Sequence, residues 1–205
     1  MTQQQAPTLF RPSDEHHLMA LLPGMKPDHW QIILDQLDDP TALFRLVPDS
    51  LKALGLPARA REVVEQWRIG RLAPELSERI EQARAACDRH AISVIDWCHP
   101  AYPQSLRHIH GPPPLLYLRG EPRTLTLPSI AVVGSRHASR DGLAHAGAFA
   151  RELTRQGLVV VSGLALGIDG AAHRGALEAD GLTLGVLANG VDSPYPRQHS
   201  RLARE

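Results

Sequence analysis

Three stretches of small residues carry the chemistry this sequence offers: Gly134-Ser135-Arg136-His137-Ala138-Ser139, Ser162-Gly163-Leu164-Ala165-Leu166-Gly167-Ile168-Asp169, and Asn189-Gly190. Glycine lets backbone approach a ligand with no Cβ in the way. Where a helix follows, its first N–H groups and its dipole favour an anion. Phosphate suits such a cradle. Arg136 adds a charged fork, Ser135 and Ser139 offer hydroxyl donors, and Ser139 is also placed to cap a following helix. On this reading Gly134, Ser135, Arg136, Ser139, Ser162, Gly163, Ala165, Gly167, Asn189 and Gly190 line one phosphate-binding edge. A plainer alternative has the glycines serving only tight turns and close helix packing. The agreement of three loops favours a ligand.

Two common phosphate signatures are missing. Gly134 is followed by Ser135-Arg136 rather than by the further glycines of the dinucleotide fingerprint, and no glycine-lysine-serine or threonine ending of an NTPase loop occurs. Asp169 and His173 stand four apart, on one helical face, and are candidates for an acid–base pair. The preferred reading is that Asp169 caps the helix and His173 packs or bonds locally. Cys87, His90, Cys98, His99, His108 and His110 cluster loosely but match no paired-ligand zinc spacing. No cofactor is expected. Trp30, Trp67 and Trp97 lie in apolar-periodic surroundings that suit core anchors better than base-stacking platforms.

The elements that must hold these loops are legible in the apolar pattern. Each loop follows an apolar run, Ile130 to Val133, Leu158 to Val161 and Leu182 to Leu187. Between the first two, Leu143, Ala146, Ala150 and Leu153 share one helical face, and a second helix is expected from about Asp169 to Ala179. Continuous apolar strands joined by helices predict a Rossmann-like α/β fold. Its parallel sheet is covered on both faces, with the strand-to-helix loops at one edge.

Upstream, residues 13–85 read as a small all-α domain of short amphipathic helices, broken at Pro23-Gly24, Asp39-Pro40, Pro48-Asp49 and Gly55-Leu56-Pro57. Leu22-Pro23-Gly24-Met25 and Leu54-Gly55-Leu56-Pro57 have the turn chemistry of helix-hairpin-helix or sterile-alpha-motif-like modules, which can present N–H groups to a DNA phosphate. Glycines and prolines that merely end helices are the preferred account. Residues 86–205 form the second domain, opening with a β-branched strand at Ala91 to Asp96 and an extended segment at Leu115 to Leu118. Residues 1–12, polar and proline-bearing, are expected to be disordered.

Over 205 residues the 22 basic and 22 acidic side chains cancel, so any polyanion site must be local. Lys26 and Lys52 are the only lysines. Two cysteines, no leader pattern and no apolar run near the roughly twenty residues of a membrane span lead to the expectation of a cytoplasmic protein in a reducing compartment, without membrane association.

The segments Ala131 to Ser139 and Val161 to Leu177 closely resemble the DNA-processing protein A family, also called DprA or Smf. The similarity continues in Gly181 to Leu187, Asn189-Gly190-Val191-Asp192 and Tyr195-Pro196. It begins earlier in Tyr102 to Leu106 and Pro113 to Gly120, so that it covers about Ile92 to Arg201. The resemblance implies a non-catalytic protein of natural transformation that binds and protects single-stranded DNA, helps load the RecA recombinase and forms a homodimer. Ser135 and Arg136 inherit the contact to the DNA backbone, and the loops at Ser162 to Gly167 and Asn189-Gly190 complete the pocket. Asp141 and His199 depart from the family pattern, the first placing an acid close to the phosphate site. The family's core also continues past the equivalent of residue 205. The expectation is therefore a C-terminally truncated member with an unpaired sheet edge or an uncovered apolar face. The enzyme alternative is a nucleotide-binding phosphoribohydrolase on a related core, using Asp169 and His173. Its Pro-Gly-Gly and threonine-glutamate motifs are absent.

Overall fold

Proline recurs at helix starts: of α1 (Asp14–Leu21), α2 (Pro27–Gln36), α3 (Pro48–Ala53), α4 (Ala58–Arg68) and α5 (Pro74–His90), three begin on it, where its missing N–H costs nothing. The computed structural model describes residues 13–205. The expectation of disorder for residues 1–12 falls outside the described residues. The chain divides into two compact units, the first ending at Glu121 and the second running from Pro122 to Glu205. No helix among the described residues is long and apolar enough to cross a membrane.

In the first unit Leu18, Ile33, Leu43, Phe44, Leu51 and Val64 are buried between the helices. α5 leads into β1 (Ile92–Asp96); after the short α6 (Gln104–Arg107), β2 (Leu115–Arg119) returns antiparallel, Ile92 opposite Arg119 and Asp96 opposite Leu115. Two histidines fasten α1 to this ribbon. His16 Nε2 donates to Asp96 Oδ2 at 2.8 Å, and His17 Nδ1 lies 3.1 Å from the Tyr117 hydroxyl. Burial alone would raise the Asp96 pKa. The His16 hydrogen bond and charge, with the backbone N–H groups of His99 and Cys98, outweigh burial and hold it below the ordinary carboxylate value. Residue 85, the boundary expected from sequence, lies inside α5. The unit extends to Glu121 because β1 and β2 pair with each other and are tied to α1. The tryptophans are half-buried rather than deep: Trp67 packs edge-on against buried Phe44, and Trp97 lies under the Arg107 guanidinium, 4.4 Å from its ring centre.

The second unit alternates β3 (Ser129–Ala131), α7 (Arg140–Arg155), β4 (Val159–Ser162), α8 (Ile168–Leu177) and β5 (Thr183–Gly185). The strands are parallel in the order β3-β4-β5, with Ile130 opposite Val160 and Val161 opposite Leu184. This is the expected Rossmann-like arrangement, joined to a helical part. Ala150, Val160, Ala172 and Ala176 form its core, with Val132 and Leu153 packed against them. Coverage differs from expectation at β3, whose three residues are all exposed, as is Val133 at 70%. β3 is an outer strand of the sheet, whereas β4 has a neighbour on each side and buries Val159 and Val160.

Small residues let α7 and α8 touch backbone to backbone: a Cβ on Gly175 would lie 2.2 Å from the Gly147 carbonyl oxygen. The reverse is not true, since a Cβ on Gly147 would meet only the Ala171 oxygen, at 3.6 Å. α8 is also tied to β5. Thr183 Oγ1 donates its only proton to the Val160 carbonyl at 2.7 Å, so His173 Nδ1 must be the donor in its 2.6 Å bond to Thr183. His173 is 2% exposed and its Nε2 has no partner among the described residues. Burial drives its pKa from 6.5 down to about 4, with Asp169 opposing the shift and His199 and Arg174 adding to it.

Two predictions follow from this packing. Gly175→Ala should cost roughly 1–3 kcal/mol by overpacking, whereas Gly147→Ala should be neutral or gain up to about 1 kcal/mol from helix propensity. Equal effects in chemical denaturation would contradict the asymmetric contact. For His173 the folded pKa lies below the unfolded one, so the unfolded chain takes up the proton first and stability rises with pH between about 4 and 6.5. The melting temperature should therefore fall as pH drops through that window, this group contributing on the order of 3 kcal/mol. His173→Leu should flatten the profile; an unchanged slope would rule the account out.

Candidate phosphate-binding site

The first loop leaves the sheet at the end of β3, where Val132 N–H still bonds the Val161 carbonyl at 2.9 Å, and it ends where α7 begins. Ser139 caps α7, its Oγ accepting the Gly142 N–H at 3.1 Å, and Ser135 Oγ accepts the His137 N–H at 3.0 Å. Both hydroxyls thus accept within the loop and keep a proton to donate outward. Gly134, Ser135 and Arg136 are exposed, and among the described residues their backbone N–H groups bond to nothing. The Arg136 guanidinium likewise has no hydrogen bond or ion pair among the described residues. Asp141 is exposed in the first turn of α7, where its charge competes with a ligand anion for the positive helix end.

What sets the loop is its contact with the second. Ile168 N–H donates to the Ser135 carbonyl at 3.2 Å. Gly167, at φ +81°, lies so close beneath that a Cβ there would stand 2.2 Å from that same oxygen and 2.8 Å from Arg136 Cα. In a trans peptide the carbonyl and the following N–H point opposite ways. Holding the Ser135 oxygen inward therefore turns the Arg136 N–H outward.

Ser162, Gly163 and Ala165 have internal roles instead. Ser162 is 3% exposed and its hydroxyl donates to the Val132 carbonyl at 2.7 Å, tying β4 to the end of β3. The Gly163 and Ala165 N–H groups donate to Asp169 Oδ2 at 3.1 and 3.4 Å. Between them, Leu164 gives its carbonyl to His199 Nδ1 at 2.9 Å. The third loop starts beside the second through a 2.8 Å bond from Val186 N–H to the Ser162 carbonyl. Asn189 and Gly190 then form an exposed turn in which the Asn189 amide bonds the Gly190 and Ser193 carbonyls. Among the described residues no hydrogen bond links that turn to residues 134–139.

Of the expected residues, then, Gly134, Ser135, Arg136 and Ser139 lie together in one open loop, with Gly167 beneath it. The acid–base candidates are turned inward, Asp169 at 7% and His173 at 2% exposure, each engaged by its own unit. The loose Cys/His group disperses: Cys98 bonds the Asp38 carbonyl, His108 the Gln104 carbonyl and His110 the Asp28 carboxylate. Ile168 and His199 were not singled out for the site. The one signal in the sequence is the departure of His199 from the family pattern.

Residues 93–205, more than half of the chain, match the family described as DNA recombination-mediator protein A. The DNA processing protein DprA of Bacillus subtilis (strain 168) is 31% identical over 175 residues, 83% of this chain and 59% of that protein. DNA processing protein DprA of Streptococcus pneumoniae is 41% identical over 112 residues, 55% of this chain and 38% of that one. The chain therefore spans 59% of the first relative's length and 38% of the second's. An X-ray structure of DNA processing protein A from Streptococcus pneumoniae matches with a TM-score of 0.69 at 27% identity, covering 95% of this chain and 64% of that one. Sequence and fold agree, and the chain belongs to the DNA recombination-mediator protein A (DprA/Smf) family.

Proposed function

We propose that this chain binds single-stranded DNA through the sugar-phosphate backbone, as a non-catalytic cytoplasmic component of DNA processing in natural transformation. In that role it protects the incoming strand and assists loading of the RecA recombinase. The observation that carries this reading is the Gly134-Ser135-Arg136 loop, whose N–H groups and guanidinium are unpaired among the described residues and whose Ser135–Arg136 peptide turns its N–H outward. Such a loop grips phosphate without reading bases. The relatives' names point to DNA as the source of the phosphate. With a formal net charge of zero, affinity rests on this local contact. Pairing two copies as a homodimer would raise it by holding two loops on one strand.

Labelled single-stranded oligonucleotide binding over a salt series tests the site. Arg136→Ala should weaken binding by about tenfold or more, the order of one charge-assisted contact, and lower the log–log salt slope by about 0.7. Unchanged affinity and slope would place the DNA elsewhere. Incubation with a panel of nucleoside monophosphates should release no free base. Release that disappears in Asp169→Ala would replace this reading with a hydrolase.

A further inference from the structure

We infer that Asp169 is a positioning residue for the anion loop: its carboxylate fills the second loop from within and leaves the first loop as the phosphate seat. The inference rests on the DNA-binding reading above and narrows it from three loops to one.

A loop of small residues ahead of a helix presents N–H groups to whatever anion occupies it. Here the occupant is already in place. Asp169 stands in the first turn of α8, buried, with Oδ2 accepting the N–H groups of Gly163 and Ala165 at 3.1 and 3.4 Å. A Cβ on Gly163 would lie 2.9 Å from the same oxygen, so the carboxylate is pressed against the loop. From the other direction His199 Nδ1–H holds the Leu164 carbonyl, and Gly170 N–H holds that of Ala165 at 3.1 Å. The Leu164–Ala165 peptide is thus pinned at both its acceptor and its donor end.

The pinned loop ends at Gly167 and Ile168, the two residues on which the first loop rests. Asp169 fixes the second loop, the second loop fixes the Ile168 N–H, and that donor fixes the Ser135 carbonyl and so the direction of the Arg136 N–H. A phosphate cannot use the Gly163 and Ala165 donors while the carboxylate holds them. Asp169, expected to cap α8, instead accepts from the loop before it, the N-cap position being Gly167.

The test uses the full chain and a single-stranded oligonucleotide. Asp169→Ala should lose about tenfold in affinity, comparable to one charge-assisted contact. Asp169→Asn, whose amide oxygen still accepts both N–H groups, should restore binding to within about threefold. Wild-type binding by Asp169→Ala, or failure of Asp169→Asn to restore binding, overturns the proposal. Should Asp169→Ala not fold, hydrogen exchange in the unmodified protein decides. Gly163 and Ala165 amides protected before DNA is added support the brace, whereas protection only after DNA is added overturns it. If Arg136→Ala alone leaves binding intact, the DNA reading fails separately, and exchange in the DNA-free protein still reports on Asp169.

Discussion

A single backbone hydrogen bond, from Ile168 N–H to the Ser135 carbonyl, orients the site. It joins the start of α8 to the loop after β3 and makes the Ser135–Arg136 peptide face one way. Gly167 makes the bond attainable, because a side chain at that point would stand in the Ser135 oxygen. The donors offered to a ligand are the consequence of where this one acceptor is held.

The rest of the second unit serves that contact. β4 is the middle strand, and both β3 and the loop after β5 are hung on its end, by Ser162 through the Val132 carbonyl and through the Val186 N–H. α8 is kept in place by small residues against α7, by Ala172 and Ala176 in the core and by the buried bond from His173 to Thr183. Asp169 and His173 act here as internal ties, the first to the Gly163 and Ala165 N–H groups and the second through Nδ1 to Thr183. With a formal net charge of zero, any anion the chain binds must be held by a local, well-directed contact, so rigidity beneath the first loop matters more than charge at a distance.

The sheet, its parallel order and the two helices were legible because continuous apolar runs and a 3.6-residue period are local patterns. Leu143, Ala146, Ala150 and Leu153 were assigned to one face, and Ala146 and Ala150 are buried. Three features were not legible, each for a tertiary reason. Ile130 to Val133 reads like a covered strand, yet exposure depends on which neighbours a strand has, and β3 is outermost. The clasp of α1 on the ribbon joins His16 to Asp96, eighty residues away, and no local pattern announces it. The glycines after β4 look as available as those after β3. Whether their N–H groups are spent depends on a carboxylate folding back from the next helix, a matter of side-chain placement rather than composition.

The central claim is that DNA phosphate sits on the first loop and nowhere else in the second unit. Backbone amide chemical shifts followed during titration of the full chain with a short single-stranded oligonucleotide address it most directly. The account predicts that Gly134, Ser135 and Arg136 move together and saturate with the binding curve, while Gly163, Ala165, Asn189 and Gly190 stay close to their DNA-free positions. Saturating shifts at Gly163 and Ala165, or at the Asn189-Gly190 turn with residues 134–136 unmoved, would contradict it.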